Sequence, residues 1–504
     1  MTRLWSPRRR TLLSGAAALL ACRGRTGGDA VAEGSRPRLP EGAFAGDVGV
    51  DSALLWSRCD RPATMVVEYA LGGRTHRVVG PRVDAASDFV GHLDLRGLPS
   101  GHVLEYSVFF EGDDGRASDP ARGRLRTAPG GRQRVRLLWS GDTAGQGWGI
   151  DPARGGMATY AAMLARDPDL FVHCGDQVYA DAPIPAEQPT GDGEVWRNLT
   201  TPARSKVAET LAEFRAAYRY NFLDEHFRRF HAAVATIHTW DDHEVLNNWY
   251  PGERLDDPRY HELEVDVLAE RGRQAFREHT AIASPTIHRV IRYGPLLDLF
   301  VVDLRSLRGA NGPGLDVDPT ASPLMGSSQI AWLGAELAAS KALWKIVVCS
   351  QPIGLLIPDQ VGFEGIANGD PGGPRGRELE IAGLLSLLRG ARVRNVVWLT
   401  ADVHYTAAHH YDPARAAYAD FDPFWEFVSG PLHAGAFGPT AFDPTFGPEV
   451  RFLRAPPPGQ ENRAPSLGDQ FFGEVEIDES QTMIVTLRDR QGASLWSIEL
   501  PPRT

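Results

Sequence analysis

Four short apolar runs in this chain each end in carboxylates or an imidazole, and that repeated grammar restricts its fold more than any other feature. Leu137-Leu138-Trp139 runs into Ser140-Gly141-Asp142, and Leu170-Phe171-Val172 into Gly175-Asp176-Gln177-Val178-Tyr179. Thr236-Ile237-His238-Thr239-Trp240 delivers Asp241-Asp242-His243-Glu244, and Val396-Val397-Trp398-Leu399-Thr400 delivers Ala401-Asp402-Val403-His404-Tyr405. A further run, Ile346-Val347-Val348-Cys349, ends in Ser350-Gln351-Pro352. Short continuous apolar runs of this kind read as strands buried on both faces. Oxygen and nitrogen donors delivered in order at their ends read as a metal-assisted site.

Helical stretches lie between and around these runs: Met157–Ala165, Ala203–Tyr218, Leu263–Glu278, Ile330–Ala339 and Glu378–Leu388. Strands alternating with helices from residue 132 to 504 give an α/β domain. Two β runs near the end, Gly473–Ile477 and Met483–Leu487, form a hairpin that completes a sheet edge. The Pro/Gly-rich stretch of residues 182–200 is expected as a surface loop near the site.

Residues 41–129 follow a different rule. Ser52–Ser57, Met65–Tyr69 and Val103–Phe109 alternate with turns such as Gly72-Gly73 and Gly112-Asp113-Asp114-Gly115. That spacing predicts a small all-β sandwich of the fibronectin or immunoglobulin kind, with Pro129-Gly130-Gly131 as a linker to the α/β domain.

The first 21 residues read as an export leader rather than as structure. Arg8-Arg9-Arg10 precede the apolar stretch Leu12–Ala21, which is too short to span a bilayer. Arg9-Arg10-Thr11-Leu12-Leu13 fits the twin-arginine pattern, so the expected partner is the twin-arginine export machinery and the expected location is extracytoplasmic. Leu19-Leu20-Ala21-Cys22 fits a lipoprotein box, which leaves both a lipid anchor on Cys22 and simple cleavage nearby open. Residues 22–40 read as a tether, and no other stretch qualifies as a transmembrane helix. Removing residues 1–21 takes away Arg3, Arg8, Arg9 and Arg10 and no acid, so the net charge moves from -11 to -15. A chain that acidic is a poor ligand for nucleic acid or an anionic membrane. The four cysteines make no spaced disulfide framework; buried free thiols are expected at Cys174 and Cys349, with a bridge between them as the alternative.

Asp, His and Tyr side chains gathered at strand ends suit a two-metal phosphoesterase. There a shared carboxylate bridges two cations about 3.5–4 Å apart, and the pair activates hydroxide and neutralises phosphate. Asp142 and Asp176 take the first-metal and bridging positions, and Tyr179 follows Asp176 by one turn as a phenolate ligand suited to ferric iron. Asp242 serves the second metal and His243 beside it is placed to protonate the leaving oxygen. Asp402 and His404 form a further ligand pair. Asp241 reads as a supporting residue, and His409 and His410 as structural. Arg305, after the apolar run Leu299–Val302, is either a phosphate-binding residue or half of a buried salt bridge.

Several motifs closely resemble the alkaline phosphatase D family of metallophosphoesterases. They are Gly175–Tyr179, Trp240–Val245 with Asn247-Asn248, Ala401–His404, and Phe424–Pro431. The resemblance covers nearly the whole chain. It implies a phosphate-ester substrate, a two-sheet α-β-β-α catalytic domain behind an N-terminal β-sandwich, and iron with calcium as cofactors, Zn2+ or Mn2+ being the alternatives. By similarity to the more distant purple acid phosphatases, Asp402 and His404 fall on two His ligands, and Asp402 hardens its site toward calcium. Asn247 and Gln351 become candidate substrate contacts, Gln351 standing where relatives place a His ligand. One position departs: family members carry a Cys iron ligand where this chain has Gly141, with Asp142 following. A phosphodiesterase of phospholipase D or teichoic-acid type, and a non-catalytic calcium-binding surface protein, are the rival readings.

Overall fold

Two mixed sheets, each with a parallel centre and antiparallel edges, lie face to face between layers of helix in the computed structural model, which describes residues 36–503. The leader and Cys22 lie outside the described residues. The first sheet has nine strands, in the order Ser494–Leu500, Met483–Asp489, Phe471–Ile477, Val135–Ser140, Leu170–His173, Ala235–His238, Ala43–Gly46, Ser52–Arg58 and Val90–Arg96. The second has seven: Arg289–Arg292, Leu297–Val301, Trp344–Val348, Val396–Thr400, Phe424–Val428, Thr406–Tyr411 and Pro448–Arg454. Val135–Ser140, Leu170–His173 and Ala235–His238 pair in parallel. So do Leu297–Val301, Trp344–Val348, Val396–Thr400 and Phe424–Val428.

The apolar runs are continuous because both faces of these strands are covered. Successive side chains point to opposite faces. Leu137 and Trp139 therefore join Val397 and Leu399 in the core between the sheets. Leu138 instead meets Tyr160 and Phe230 on the helical side of the first sheet, and Trp398 meets Leu333 and Leu384 on that of the second. The resulting α-β-β-α layering is the one the resemblance implies.

Residues 41–129 do form two packed layers. A four-stranded sheet, Arg74–Val83, Ala63–Leu71, Val103–Glu111 and Ala121–Arg126, buries Met65, Val67, Val108 and Phe110 against Leu55, Leu93 and Leu95. The strands carrying that second layer also end the nine-stranded sheet, where Gly46 pairs with Thr236. From Pro37 onward the chain is one compact unit.

All five expected helical stretches are helical, with Leu211–Asn221 starting later than expected because the Thr210 hydroxyl and Glu213 carboxylate build a capping box there. The helix Glu225–Ala233 and the edge strand Ser494–Leu500 were not expected. Residues 182–200 contain the small hairpin Glu187–Pro189 with Val195–Arg197, whose Gln188 amide donates to Gln146 O. Cys174 and Cys349 are buried free thiols, as is Cys59. No described helix is long and apolar enough to cross a membrane.

Candidate metal centre

Ser140, His173 and His238 end parallel strands on one edge of the first sheet, Thr400 ends a strand of the second, and the loops after all four meet. Asp142, Asp176, Asp402 and His404 sit at φ of 64°, 56°, 69° and 58°. Each non-glycine residue in this left-handed region costs about 1–2 kcal/mol, and such residues cluster at functional sites because the turn aims a side chain. Neighbouring loops hold the turns in place. Asp142 N–H donates to Gly175 O at 3.3 Å and Thr143 N–H to Asp176 O at 2.8 Å. The buried Glu244 carboxylate accepts from the backbone N–H groups of Asp176 (3.1 Å), Gln177 (2.7 Å) and Asp241 (2.8 Å).

Three clusters of ligand atoms result, each with its members within 4.8 Å of one another: Asp142, Asp176 and His404; Asp176, Asp242 and His243; and Asp176, Asp241, Asp242 and Asp402. Asp176 belongs to all three. The Tyr179 hydroxyl adds an oxygen 2.8 Å from His404 Nε2, which is 3.5 Å from Asp142 Oδ1. His404 Nδ1 donates to Gly435 O. That fixes the tautomer and leaves the Nε2 lone pair facing Asp142 and Tyr179, a metal-ligating arrangement. Gly430 is required beside Asp142, because a Cβ there would collide with Asp142 Oδ2.

The electrostatics call for cations. Both Asp142 oxygens, Asp241 Oδ2 and Asp242 Oδ1 are buried with no hydrogen-bond partner, an arrangement costly for free carboxylates. Burial first, then neighbouring carboxylates, push Asp142, Asp176 and Asp402 well above the carboxylate range. Burial also raises Asp241 to about 6 despite Arg305. Asp242 goes the other way, to about 2, because His243, Arg305 and the Asn248 N–H outweigh its burial. Burial keeps His404 neutral, with a pKa of about 4. A buried, oxygen-rich, mutually repelling set with one neutral imidazole fits hard di- or trivalent cations.

His243 stands at the lip of this set. Its Nδ1 is 2.8 Å from Asp181 Oδ1, its Nε2 is 4.0 Å from Asp242 Oδ2, and its ring stacks on Tyr179 at 4.2 Å. Burial lowers its pKa, but Asp181 and Asp242 outweigh that and raise it to about 10. In the metal-free protein these carboxylates therefore favour the imidazolium. Its backbone N–H also reaches Asp176 Oδ1 at 3.2 Å.

Two of the expected substrate contacts need correction. Arg305 is fully buried: its Nε donates to Asp241 Oδ1 at 2.6 Å and its NH1 to Glu364 at 3.0 Å, while its NH2 lies 3.6 Å from Asp242 Oδ1. The turn explains this. Asp303 Oδ1 accepts from the N–H groups of Arg305 and Ser306, folding the chain so that the guanidinium passes beneath the carboxylates. Of its two readings, the buried salt bridge is the one found. Gln351 is equally buried and donates from Nε2 to Glu364, so it braces the same network rather than facing the cleft. Asn247 does line the cleft, its backbone N–H held by Asp181 Oδ2 at 3.0 Å. Asp241 contributes an oxygen to one ligand cluster while paired with Arg305. His409 is turned away, its Nδ1 3.0 Å from Glu426.

Sequence reasoning missed Asp181, Glu244 and Glu364. Asp181 sits two residues beyond Tyr179 and Glu244 closes the Asp241–Glu244 run, so both were adjacent to recognised motifs. Glu364, which gathers Arg305, Arg308 and Gln351, lies on an irregular loop with no local signal.

The ligands open onto a cleft of about 450 Å³, bounded by His243, Asn247 and Asn248 on one side and by residues 437–440 and 458–461 on the other. No Arg or Lys is among its described lining residues.

The PhoD-like phosphatase family model matches residues 137–486, and the model of the PhoD-like phosphatase N-terminal domain matches residues 25–129. Alkaline phosphatase D of Bacillus subtilis (strain 168) is 24% identical over 436 residues, which is 79% of this chain and 70% of that protein. The solved structure of PhoD superposes with a TM-score of 0.67 at 17% identity, covering 94% of each chain. Purple acid phosphatase PPD1 from yellow lupin (Lupinus luteus) seeds superposes with a TM-score of 0.61 at 13% identity, covering 92% of this chain and 74% of that one.

Proposed function

The chain belongs to the PhoD-like phosphatase family and is a phosphoric ester hydrolase, and from that premise we propose that it works with two or more cations held by Asp142, Asp176, Tyr179, Asp242, Asp402 and His404. The observation that carries this reading is the position of Asp176, whose carboxylate belongs to every ligand cluster and so would be the ligand the cations share. Ferric iron suits the side with Tyr179 and His404, and calcium the side with Asp242 and Asp402. Zn2+ or Mn2+ are the alternatives. When bound, such cations activate water and neutralise phosphate charge.

The chain's own residues do the rest. Asp176 and Asp242 would hold cations from adjacent clusters. The imidazolium of His243, oriented by Asp181, gives its proton to the departing oxygen. Arg305 keeps Asp241 and Asp242 anionic from below, and Glu244 holds the Asp176 and Asp241 loops at the same depth.

A preference for diesters is favoured by one observation. With no Arg or Lys among the described cleft-lining residues, only cations and His243 oppose phosphate charge. A dianionic monoester therefore gains less than a monoanionic diester beside Glu461. Turnover of purified protein on matched nitrophenyl phosphomonoesters and phosphodiesters, with metal analysis of the same sample, tests the proposal. Absence of bound metal with full activity would refute the metal centre, and a strong monoesterase excess would refute the diester preference.

The twin-arginine pattern at Arg9-Arg10 supports an extracytoplasmic enzyme. Changing both arginines to Lys should leave precursor in the cytoplasm, and metabolic acyl labelling lost in Cys22→Ser would establish the anchor. Unimpaired export of the Lys variant would point to the general secretory route.

A further inference from the structure

The second sheet carries a cavity at the edge opposite the metal centre, where the strands Trp344–Val348, Val396–Thr400 and Phe424–Val428 begin. Its volume is about 310 Å³, within the range of small-molecule sites. Val396 and Trp398, which line it, precede Asp402 by six and four positions. At about 3.3 Å per residue that puts the cavity roughly 13–20 Å from the ligands, beyond direct contact.

Its floor is apolar and aromatic: Trp398, Leu385, Phe424 and Leu500. Its rim is cationic. Arg394 and Arg503 are both exposed, and neither forms an ion pair with a described residue. Arg389 pairs with Asp420 at 3.1 Å, and Asp422 is the single acid on the wall. On a chain of net charge -11, an apolar recess ringed by arginines runs against the prevailing charge.

A further observation distinguishes it from a packing fault: the walls are built. Asn395 and Arg503 exchange hydrogen bonds, Nδ2 to O at 3.2 Å and N–H to Oδ1 at 2.7 Å, which clamps the last residues of the chain over the recess. The Trp344 indole is fixed on Gln481 O at 3.0 Å.

We propose that this cavity binds a small anionic amphiphile, an apolar body carrying one carboxylate or sulfonate head. The body lies on Leu385, Phe424 and Leu500, and the head meets Arg394 and Arg503. This assignment is independent of the metal centre and of the reaction.

Decanoate, kept below its micelle concentration, is the probe, followed by tryptophan fluorescence and isothermal titration calorimetry on the purified protein. Decan-1-ol shares the tail without the charge, and butyrate the head without the tail. The expected result is saturable binding of one decanoate per chain, at least tenfold tighter than decan-1-ol or butyrate. The double substitution Arg394→Glu/Arg503→Glu should weaken it tenfold or more, with phosphatase turnover unchanged because both residues are exposed and remote from the ligands. No saturable binding, equal binding of decan-1-ol, or binding untouched by the double reversal would each overturn the proposal.

Discussion

His243 Nδ1 and Asp181 Oδ1 stand 2.8 Å apart, on loops that come after two different strands, and this contact sets which form of the imidazole faces the cleft. Asp181 and Asp242 raise the His243 pKa against the effect of burial. A general acid works while protonated, so the rate on a poor leaving group should fall as pH rises through that pKa. Asp181→Asn removes the attraction that holds the proton, so this alkaline limb should move to lower pH. The pH profile of kcat on an alkyl phosphate ester checks it. His243→Ala should cost about 10²–10⁴-fold on that substrate and far less on a nitrophenyl ester. Equal losses on both would point to a ligand or structural role.

Asp176 is the group whose removal should separate stability from activity. In the metal-free protein its carboxylate is buried and repelled by Asp242, Asp241 and Asp142. Asp176→Asn should therefore raise the Tm of chelated protein at neutral and higher pH, since it removes a carboxyl whose ionisation burial and its neighbours oppose. In metal-loaded protein the same change should lower the Tm and reduce turnover by several orders of magnitude. Near wild-type turnover in the variant would sink the bridging assignment.

The Tyr179 hydroxyl is 2.8 Å from His404 Nε2, and its ring stacks on His243. A phenolate on ferric iron gives a visible charge-transfer band, whereas calcium or zinc alone is colourless. Purified protein should carry iron with calcium and show a band that Tyr179→Phe abolishes. Zinc or manganese in both sites, with no band, would overturn the choice of ions while leaving the esterase reading intact.

What was legible in the sequence, and what was not, divides along physical lines. Asp142, Asp176, Asp242, Asp402 and His404 could be read because each ends a strand buried on both faces, and such strands announce themselves as apolar runs. The backbone converts that local pattern into a shared site only because the strands run parallel. The choice between the two readings of Arg305, and the place of Gln351, were not legible for the complementary reason. Both also come after apolar strands, but Asp303 turns Arg305 beneath the carboxylates, and Glu364, far along the chain, captures Gln351. Nothing local records a partner 13 or 59 residues away. The strand Ser494–Leu500 was missed because an edge strand half open to solvent lacks the continuous apolar run that marked the others.

Acid should unfold the chelated protein through its buried histidines. Burial lowers His173 to about 3 and His231 to about 4, while His173 Nε2 meets Thr143 Oγ1 at 3.0 Å and His231 Nδ1 donates to Phe227 O at 2.9 Å. Both bind a proton more readily when unfolded, near pH 6.5. Their contribution is complete above that pH and is lost as pH falls toward 4. Each should add about 1.4 kcal/mol per pH unit to the slope in that window. Guanidinium melts between pH 4 and 7 should show the slope reduced by one such increment in His231→Leu, and an unchanged slope would exclude this origin.

Gly141 is where the family resemblance puts a cysteine ligand, and its surroundings explain why the residue cannot simply be restored. A Cβ built there lies 2.8 Å from Ala401 Cβ and 3.2 Å from Gly175 O, so the loop after Val396–Thr400 would have to give way. That loop carries Asp402 and His404, and Gly175 precedes Asp176, so any shift reaches the ligands. Gly141→Cys alone should cost about 1–3 kcal/mol as overpacking and reduce turnover despite adding a thiolate. Ala401→Gly removes the closer of the two contacts, so the double variant should regain most of the lost stability and bind iron through the new sulfur. Urea melts of the single and double variants decide the steric part, and a sulfur-to-iron absorption band in the double variant decides the second. If Gly141→Cys is as stable and as active as the parent, the crowding between Gly141 and Ala401 does not govern this site.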